Sequence, residues 1–464
     1  MASESSIHFE ISERKVLLRL MDLVMVFLGI YLISEYTDFD YLNFNVTNTV
    51  PLIVLAVYIT IFGTVFEMYD LQKSSRLDVS FRNIVICMST VVLFYLLTPF
   101  LTPFLPEQRM QIIYFYLILV LSVFTWRLGY NTFIESPRFF KKVLLVGEMS
   151  QIGPIVKTMN DADPNYQFIG FINSETARTD SISYKGMKEY KVQDLHQIVR
   201  EEKLSEILIA STNSELITPD LYHELMVLLE QGFKIREFTQ VYEEVTNKVP
   251  IQYVGKDFYK YFPFSRNNEN QLYRFFHRTF DILISCVGLL FGLIILPLVL
   301  LGNLIGNRGP LFYHQERIGR NSTLFTIYKL RTMIRDAEQG TAQWAQKNDA
   351  RVTPFGKFLR RSRLDEIPQF YNVLKGEMSM IGPRPERPFF VAELAQSIPF
   401  YETRHIVKPG LTGWAQVNSR YGSSVEDSMT KLQYDLYYIK HRSLFLDLNI
   451  MLKTLSTVLY YRGQ

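Results

Sequence analysis

The sequence predicts three parts: a membrane-spanning α-helical bundle, an α/β domain, and a basic, glycine-rich domain that begins with one more apolar helix. The length of 464 residues suggests about three domains, with predicted boundaries at 1–135, 139–262 and 272–464. The aromatic content of 14% is high for a soluble protein, whereas the charged content of 20% is high for a wholly membrane-embedded one. The net charge of +3 gives no overall polarity, so we expect no nucleic-acid partner.

The bundle is predicted from four apolar segments near the length that crosses a bilayer, at about 16–34, 50–66, 84–105 and 111–126. Basic residues gather before the first segment, between the second and third, and after the fourth. The positive-inside rule therefore puts both ends of the bundle in the cytoplasm. Buried helices of a soluble protein are the alternative, and four such segments in series argue against it.

Between 139 and 262, apolar strands alternate with amphipathic helices, which predicts a parallel α/β domain of Rossmann type. Its first turn runs from Gly147 to Gly153 without the G-x-G-x-x-G pattern, and Glu148 would repel a pyrophosphate. A structural or regulatory module is therefore favoured over a dinucleotide-binding one.

An uncharged run of residues, 282–302, follows, long enough to cross a bilayer. Arginines flank it on both sides, and Pro297 lies inside it. Positive charge at both ends favours a helix that breaks at Pro297 and returns to the face it entered. A single crossing remains an equal alternative on the residues alone.

The candidate chemistry lies in the stretch RRSRLDEIP, residues 360–368. Pro368 is suited to the first turn of a helix that ends at Lys375, so Asp365 and Glu366 would lie at its positive end beside arginines. Ionised carboxylates in such a place can attack phosphorus or hold a divalent cation. The alternative is a capping pair of Ser362 and Asp365 with solvated arginines around it.

Several further patterns follow the apolar run in a fixed order: GPLFYHQERIG (309–319), FTIYKLRTM (325–333), RVTPFGKFLR (351–360), MSMIGPRP (378–385) and KPGLTGWAQVN (408–418). With the acidic pair, they resemble the bacterial polyprenyl-phosphate sugar-1-phosphate transferases from about residue 272 to the C-terminus. The preceding bundle and α/β domain resemble, in architecture, the long exopolysaccharide-initiating branch of that family, whose catalytic domain is a re-entrant-helix phosphoglycosyl transferase.

The resemblance implies transfer of a sugar 1-phosphate from a UDP-sugar to undecaprenyl phosphate, with release of UMP. It assigns Asp365 as the nucleophile that forms a phosphosugar-enzyme intermediate. Glu366 would help to hold Mg²⁺ or assist proton transfer, so both carboxylates are expected metal ligands. A covalent relay suits two anionic substrates that repel each other, because each attack then brings only one of them to the site.

Six side chains are expected to contact phosphate or donor: Lys329, Arg331, Arg360, Arg363, Arg384 and Gln416. Lys329 and Arg331 alternate as on one face of a strand, where they would meet phosphates or lipid headgroups. Arg384 is held between two prolines, which suits a preorganised phosphate contact. Gln416 has a structural turn as its alternative.

The resemblance also bears on location, because UDP-sugars are cytosolic. One odd crossing after a cytoplasmic α/β domain would put Asp365 outside, so the re-entrant helix is favoured, although the family's Ser-Pro break reads Leu296-Pro297 here. We expect a bacterial cytoplasmic-membrane enzyme with both termini and the catalytic domain in the cytoplasm. Glucose is favoured over galactose or an N-acetylated sugar, and a homodimer is expected. A nucleotide-sugar oxidoreductase and a non-catalytic assembly scaffold are the rival functions.

Overall fold

The computed structural model describes residues 11–37, 39–45, 48–74, 76–133, 140–163, 165–174, 187–210, 217–253, 270–335, 337, 349–419 and 424–459. The chain forms two compact units, Met1–Thr246 and Asn247–Gln464. The first unit contains the N-terminal helices and the α/β domain, and the second contains the long apolar helix and the predicted catalytic residues.

The N-terminal part consists of helices α1 (Ile11–Tyr36), α2 (Thr49–Val65), α3 (Leu71–Ser74), α4 (Leu77–Leu97) and α5 (Met110–Phe133). By length and composition, α1, α4 and α5 can cross a membrane, and α2 is apolar but has only 17 residues. Helix α4 differs from the predicted segment 84–105, because Asp78 opens its first turn and Pro99 follows its end.

Two buried ion pairs hold this first unit together. Asp22 Oδ2 of α1 and Arg127 Nη2 of α5 lie 2.7 Å apart, and both side chains are fully buried. Arg14, near the start of α1, pairs with Asp163 of the α/β domain at 2.8 Å, and both side chains are only 6% exposed. The second pair attaches helix α1 directly to the α/β domain.

The α/β domain has five parallel strands in the order β3-β2-β1-β4-β5, which confirms the predicted parallel sheet. The strands are β1 (Lys141–Gly147), β2 (Tyr166–Asn173), β3 (Lys188–Glu189), β4 (Glu206–Ile209) and β5 (Ile235–Glu237). Its helices are α6 (Met149–Ala162), α7 (Leu195–Glu201), α8 (Pro219–Glu230) and α9 (Phe238–Thr246). Strand β1 reads as an unbroken apolar run because it is central and covered on both faces.

The second compact unit begins at Asn247, earlier in the chain than the end predicted for the α/β domain at residue 262. The Val249 amide donates to the Gln433 carbonyl at 3.1 Å, and Trp414 Nε1 donates to the Asn247 carbonyl at 3.2 Å. Residues 254–262 lie outside the described part of the chain.

The longest helix of the described second unit is α10 (Gln271–Gly306), whose 36 residues extend about 54 Å. The Asn270 side chain caps it by accepting hydrogen bonds from the Leu272 and Tyr273 amides. The helix continues through Pro297, so the structure has no gap between two helices where the sequence predicts a break.

Glycines let α10 lie close against the helices around the acidic pair. A Cβ placed on Gly288 or Gly292 would come within 3.0 Å of Phe370 or Ile367, and Gly302 meets Phe355 in the same way. The long apolar helix is therefore in direct contact with the segments that carry the predicted nucleophile.

The remaining helices are α11 (Pro354–Arg361), α12 (Gln369–Lys375), α13 (Pro388–Ser397), α14 (Trp414–Asn418), α15 (Val425–His441) and α16 (Leu444–Leu459). An antiparallel pair, β6 (Phe312–Ile318) and β7 (Leu324–Leu330), and a parallel pair, β8 (Ser379–Ile381) and β9 (Gly410–Thr412), complete the unit. The apolar core includes side chains from α12, β8, α14 and α15, and Ile284 of α10 packs against it.

Gly356 in α11 tests the close packing beside the site. A Cβ there would lie 2.0 Å from the Thr332 carbonyl oxygen, so Gly356→Ala should destabilise the protein by about 1–3 kcal/mol. Thermal unfolding of the full-length protein in detergent measures this. The control is Gly129→Ala in α5, where the nearest atom is a Trp126 side-chain carbon at 4.0 Å. Equal unfolding temperatures for the two variants would contradict the close approach.

Candidate active site

The acidic pair lies in a tight turn between α11 and α12. Arg363 adopts a left-handed conformation at φ 58°, which reverses the chain after α11 and starts the short 3₁₀ turn Leu364–Glu366. Helix α12 begins at Gln369, and Pro368 is its N-cap residue. The sequence predicts Pro368 inside the first turn, so the proline lies one position earlier than predicted. The Ser362 hydroxyl donates to the Phe358 carbonyl at 2.9 Å, and the turn that begins after Arg363 has no side-chain cap, so Ser362 and Asp365 do not form a capping pair.

Glu366 is held by three cations. Lys329 Nζ and Arg384 Nη2 each lie 3.2 Å from its Oε1, and Arg363 Nη1 lies 3.3 Å from its Oε2. The carboxylate is only 12% exposed. Three of the predicted phosphate-binding residues, from three separate segments of the chain, therefore meet at one buried acid.

The two acids of the pair have opposite electrostatics. Burial alone would raise the pKa of Glu366, but the charges of Lys329, Arg384 and Arg363 outweigh it and hold that pKa well below its usual range. Burial, followed by repulsion from Glu366, raises the pKa of Asp365 to about 6, against the attraction of Lys329 and nearby arginines. The sequence predicts that both carboxylates are strongly ionised. At Asp365, burial makes ionisation less favourable than predicted.

Asp365 is the acid of this pair whose carboxylate has no hydrogen-bond donor among the described residues. It is 8% exposed. Glu366, in contrast, is surrounded by its cations. The geometry thus separates a carboxylate that organises positive charge from one that can react.

Asn372 connects the helix after the pair to the strand that carries Lys329. Its side-chain amide is fully buried and donates to the Thr326 carbonyl at 2.7 Å, while its Oδ1 accepts from the Tyr328 amide at 3.2 Å. The lysine and Glu366 are therefore fixed relative to one another through this side chain. The sequence analysis missed Asn372, although an asparagine on the apolar face of a short helix was a signal.

A buried ion pair supports the loop that presents Arg384. Arg404 Nη2 donates to the Arg384 carbonyl at 3.1 Å and to Asp435 at 2.7 Å, and Arg404 Nη1 donates to Tyr401 at 2.7 Å. On the other side, Arg317 donates to the Pro385 carbonyl at 3.0 Å. The sequence analysis missed this support, because its partners are far apart along the chain.

Two predicted contacts lie elsewhere. Arg331 follows the end of β7, so strand alternation with Lys329 does not apply, and its guanidinium donates to three main-chain carbonyls, those of Pro310, Met333 and Asn307. Gln416 donates to the Leu411 carbonyl at 3.0 Å, which is the structural turn left open above. Neither contacts the described residues around Glu366.

Arg360 occupies an intermediate position. Its Nε donates to Thr332 at 2.9 Å, yet its charge is close enough to oppose the rise in the pKa of Asp365. Arg360 therefore contributes to the positive field of the site without belonging to the cations on Glu366.

The acidic pair is the candidate donor set for the expected Mg²⁺. Within the described ranges, no group of three or more acidic, histidine or cysteine side chains is arranged to hold a metal ion. The ion commonly binds one or two carboxylates and completes its shell with water and substrate phosphates. The adjacent Asp365 and Glu366 fit that pattern, with Asp365 supplying the carboxylate that has no other partner.

Residues 272–461 match the family described as bacterial sugar transferase. The chain is 44% identical over 141 residues to a putative undecaprenyl-phosphate N-acetylgalactosaminyl 1-phosphate transferase of Bacillus subtilis (strain 168), covering 79% of that protein and 30% of this chain. The chain belongs to the bacterial sugar transferase family. This confirms the resemblance inferred from the sequence patterns.

Two further relatives extend the comparison. A UDP-N-acetylgalactosamine-undecaprenyl-phosphate N-acetylgalactosaminephosphotransferase of Aeromonas hydrophila is 42% identical over 229 residues, which cover 47% of this chain and about half, 51%, of the relative. A UDP-glucose:undecaprenyl-phosphate glucose-1-phosphate transferase of Klebsiella pneumoniae is 27% identical over 464 residues, covering 95% and 94%. The second match includes the region of the bundle and the α/β domain as well as the catalytic unit.

Asp435 tests the support of the Arg384 loop. Asp435→Asn leaves the buried Arg404 without its counter-charge, so we expect a loss of about 3–5 kcal/mol in stability. Thermal unfolding of the full-length protein measures it. Glu426→Gln, exposed on the same helix α15, is the control. Loss no greater than that of the control would show that the ion pair does not hold the loop.

Proposed function

We propose that the protein transfers a hexose 1-phosphate from a UDP-sugar to undecaprenyl phosphate and releases UMP. The observation that carries this proposal is the carboxylate of Asp365, buried and without a hydrogen-bond donor among the described residues, beside an acid that holds three cations. It lies within the part of the chain that matches the bacterial sugar transferases, whose named relatives act on undecaprenyl phosphate.

In the proposed first step, a carboxylate oxygen of Asp365 attacks the phosphorus that carries the sugar. A bond forms between that oxygen and phosphorus, and the bond from phosphorus to the UMP oxygen breaks. In the second step, a phosphate oxygen of undecaprenyl phosphate attacks the same phosphorus and releases Asp365. Because UMP leaves before the lipid attacks, the two anionic substrates do not meet in one step.

The cations on Glu366 supply the electrostatic part of the mechanism. Lys329, Arg363 and Arg384 carry three positive charges against one carboxylate, which leaves a positive site for a diphosphate. Since its pKa is lowered, Glu366 stays ionised and orients these side chains rather than donating a proton. Bound on Asp365 and Glu366, Mg²⁺ would add charge neutralisation on the diphosphate.

The substitution Asp365→Asn tests the nucleophile. We expect UMP release from a UDP-sugar, with undecaprenyl phosphate and Mg²⁺, to fall at least about 10³-fold, because the amide cannot form the phosphosugar bond. The control is Asp220→Asn, an exposed residue at the start of α8. With donor alone, intact-mass measurement should show one sugar phosphate added to wild type and none added to the variant.

A variant that releases UMP at the wild-type rate would exclude Asp365 as the nucleophile. If the variant loses UMP release but wild type gains no mass with donor alone, the result would argue for direct transfer of the sugar phosphate from one substrate to the other. A silent wild type across a panel of donors, with protein shown to be folded, would favour the scaffold function.

We propose glucose as the sugar, because the relative that matches along nearly the whole chain is named a glucose-1-phosphate transferase. N-acetylgalactosamine is the alternative, favoured by the higher identity to the Aeromonas protein over the shorter match. The same UMP assay with UDP-glucose, UDP-galactose and UDP-N-acetylgalactosamine distinguishes them.

We also propose that α10 is re-entrant in the cytoplasmic membrane, with both termini and the catalytic unit in the cytoplasm. One end of the helix contacts the unit through Tyr273, which donates to Asp447 at 2.6 Å. The other end contacts it through Asn307, which donates to the Arg331 carbonyl at 2.6 Å. A helix that crosses the bilayer would separate one of these ends from a cytosolic domain.

Cysteine labelling tests this topology. In a Cys286→Ala background, Gln271→Cys and Arg308→Cys place exposed thiols at the two ends of α10. A membrane-impermeant maleimide should label neither thiol in intact cells and both thiols in inside-out vesicles. Labelling of one thiol from each side would show that the helix crosses the bilayer.

A further inference from the structure

Four cationic side chains gather where the first turns of α10 approach the end of α12, and we name them the Lys408 cluster: Arg274, Arg278, Arg320 and Lys408. Arg274 precedes Arg278 by one turn of α10, and Arg320 binds the main chain at Ile406, two residues before Lys408. Burial, followed by the charge of Arg278 and of the other two arginines, lowers the pKa of the Lys408 ammonium. A Cβ placed on Gly376 would lie 3.5 Å from Lys408 Nζ and 3.6 Å from Arg278 Nη2.

Two members of the cluster have main-chain partners. Arg278 donates to the carbonyls of Val373 and Leu374 at 2.6 and 2.7 Å, and Arg320 donates to the Ile406 carbonyl at 3.2 Å. These contacts fix the position of the guanidinium groups, but carbonyl oxygens do not cancel their charge.

The other two members lack a counter-charge in contact. Within the part of the chain that the structure describes, neither the half-buried Lys408 ammonium nor the Arg274 guanidinium has a hydrogen bond or an ion pair. The carboxylate of Asp281 faces Lys408 but accepts from Ser379 at 3.0 Å and from the Met380 amide at 2.8 Å. Four positive charges against one engaged carboxylate leave the cluster suited to an anion.

The cluster borders the apolar run of α10. Arg274 and Arg278 occupy the first turns of α10, just before its uncharged run 282–302. Phe275 and Phe276 beside them are 65% and 50% exposed. Aromatic and basic side chains together at the end of an apolar helix are typical of the membrane interface, where anionic lipids lie.

This place is separate from the reacting carboxylate. Arg278 binds the carbonyls at the end of α12, whereas Asp365 precedes its beginning, about 13 Å away along the chain at a helical rise. A phosphate in contact with the cluster is therefore not in contact with Asp365. We propose that the Lys408 cluster binds the phosphate group of an anionic phospholipid that is not a reactant.

The test uses the full-length protein in neutral detergent, with phosphatidylglycerol or phosphatidylcholine added to the micelles, and measures the apparent unfolding temperature. Phosphatidylglycerol should raise it more than phosphatidylcholine, because a ligand of the folded state stabilises it. Lys408→Gln should lose at least about half of that difference. Lys375→Gln, an exposed neighbour that pairs with Glu377, is the matched control and should keep it.

Arg274→Gln is the second variant. Because the Arg274 side chain is exposed, we expect this variant to fold even if Lys408→Gln does not. It should also reduce the effect of phosphatidylglycerol. An unchanged effect in Arg274→Gln, or in folded Lys408→Gln, would overturn the proposal. The last comparison adds glycerol phosphate at the same phosphate concentration. If it raises the unfolding temperature as much as phosphatidylglycerol does, the site binds a soluble phosphate compound, and the lipid is overturned as its ligand.

Discussion

The catalytic unit depends on the contact between Glu366 and its three cations. Lys329 comes from strand β7, Arg363 from the turn before the acid, and Arg384 from the loop after β8, so one carboxylate joins three parts of the chain. Buried charge is costly unless it is paired, and here each partner makes the burial of the others tolerable. The net positive charge that remains is what a diphosphate needs.

The surroundings of this contact are built to keep it in place. Asn372 fixes the helix after the pair to the strand with the lysine, and Arg404 with Asp435 fixes the loop with Arg384. A site whose donors are held before the substrate arrives avoids the energy of reorganising them during reaction. The exception in this network is Asp365, the proposed nucleophile, whose carboxylate accepts no hydrogen bond from the described residues.

Much of this could be predicted from the sequence, because apolar runs, strand–helix alternation and local patterns are properties of short segments. Lys329, Arg363 and Arg384 are candidates from such patterns, and the structure brings all three to Glu366 beside Asp365. Arg331 lies one residue beyond the end of β7, where the alternation of side chains no longer holds, and it donates to main-chain carbonyls. Arg404 and Asp435 were missed because their role depends on contacts between distant segments, which no local pattern records.

Ile367 lies two residues after the proposed nucleophile and packs on Gly292 in the middle of the apolar helix. In the proposed re-entrant arrangement, the contact of this branched side chain with a bare backbone would set the distance of Asp365 from the hydrocarbon. An acceptor anchored in the bilayer carries its phosphate at a nearly constant depth, so its search for the carboxylate would be two-dimensional. Lateral diffusion would then deliver the acceptor of the proposed reaction, and no part of the protein would have to lift it out of the membrane.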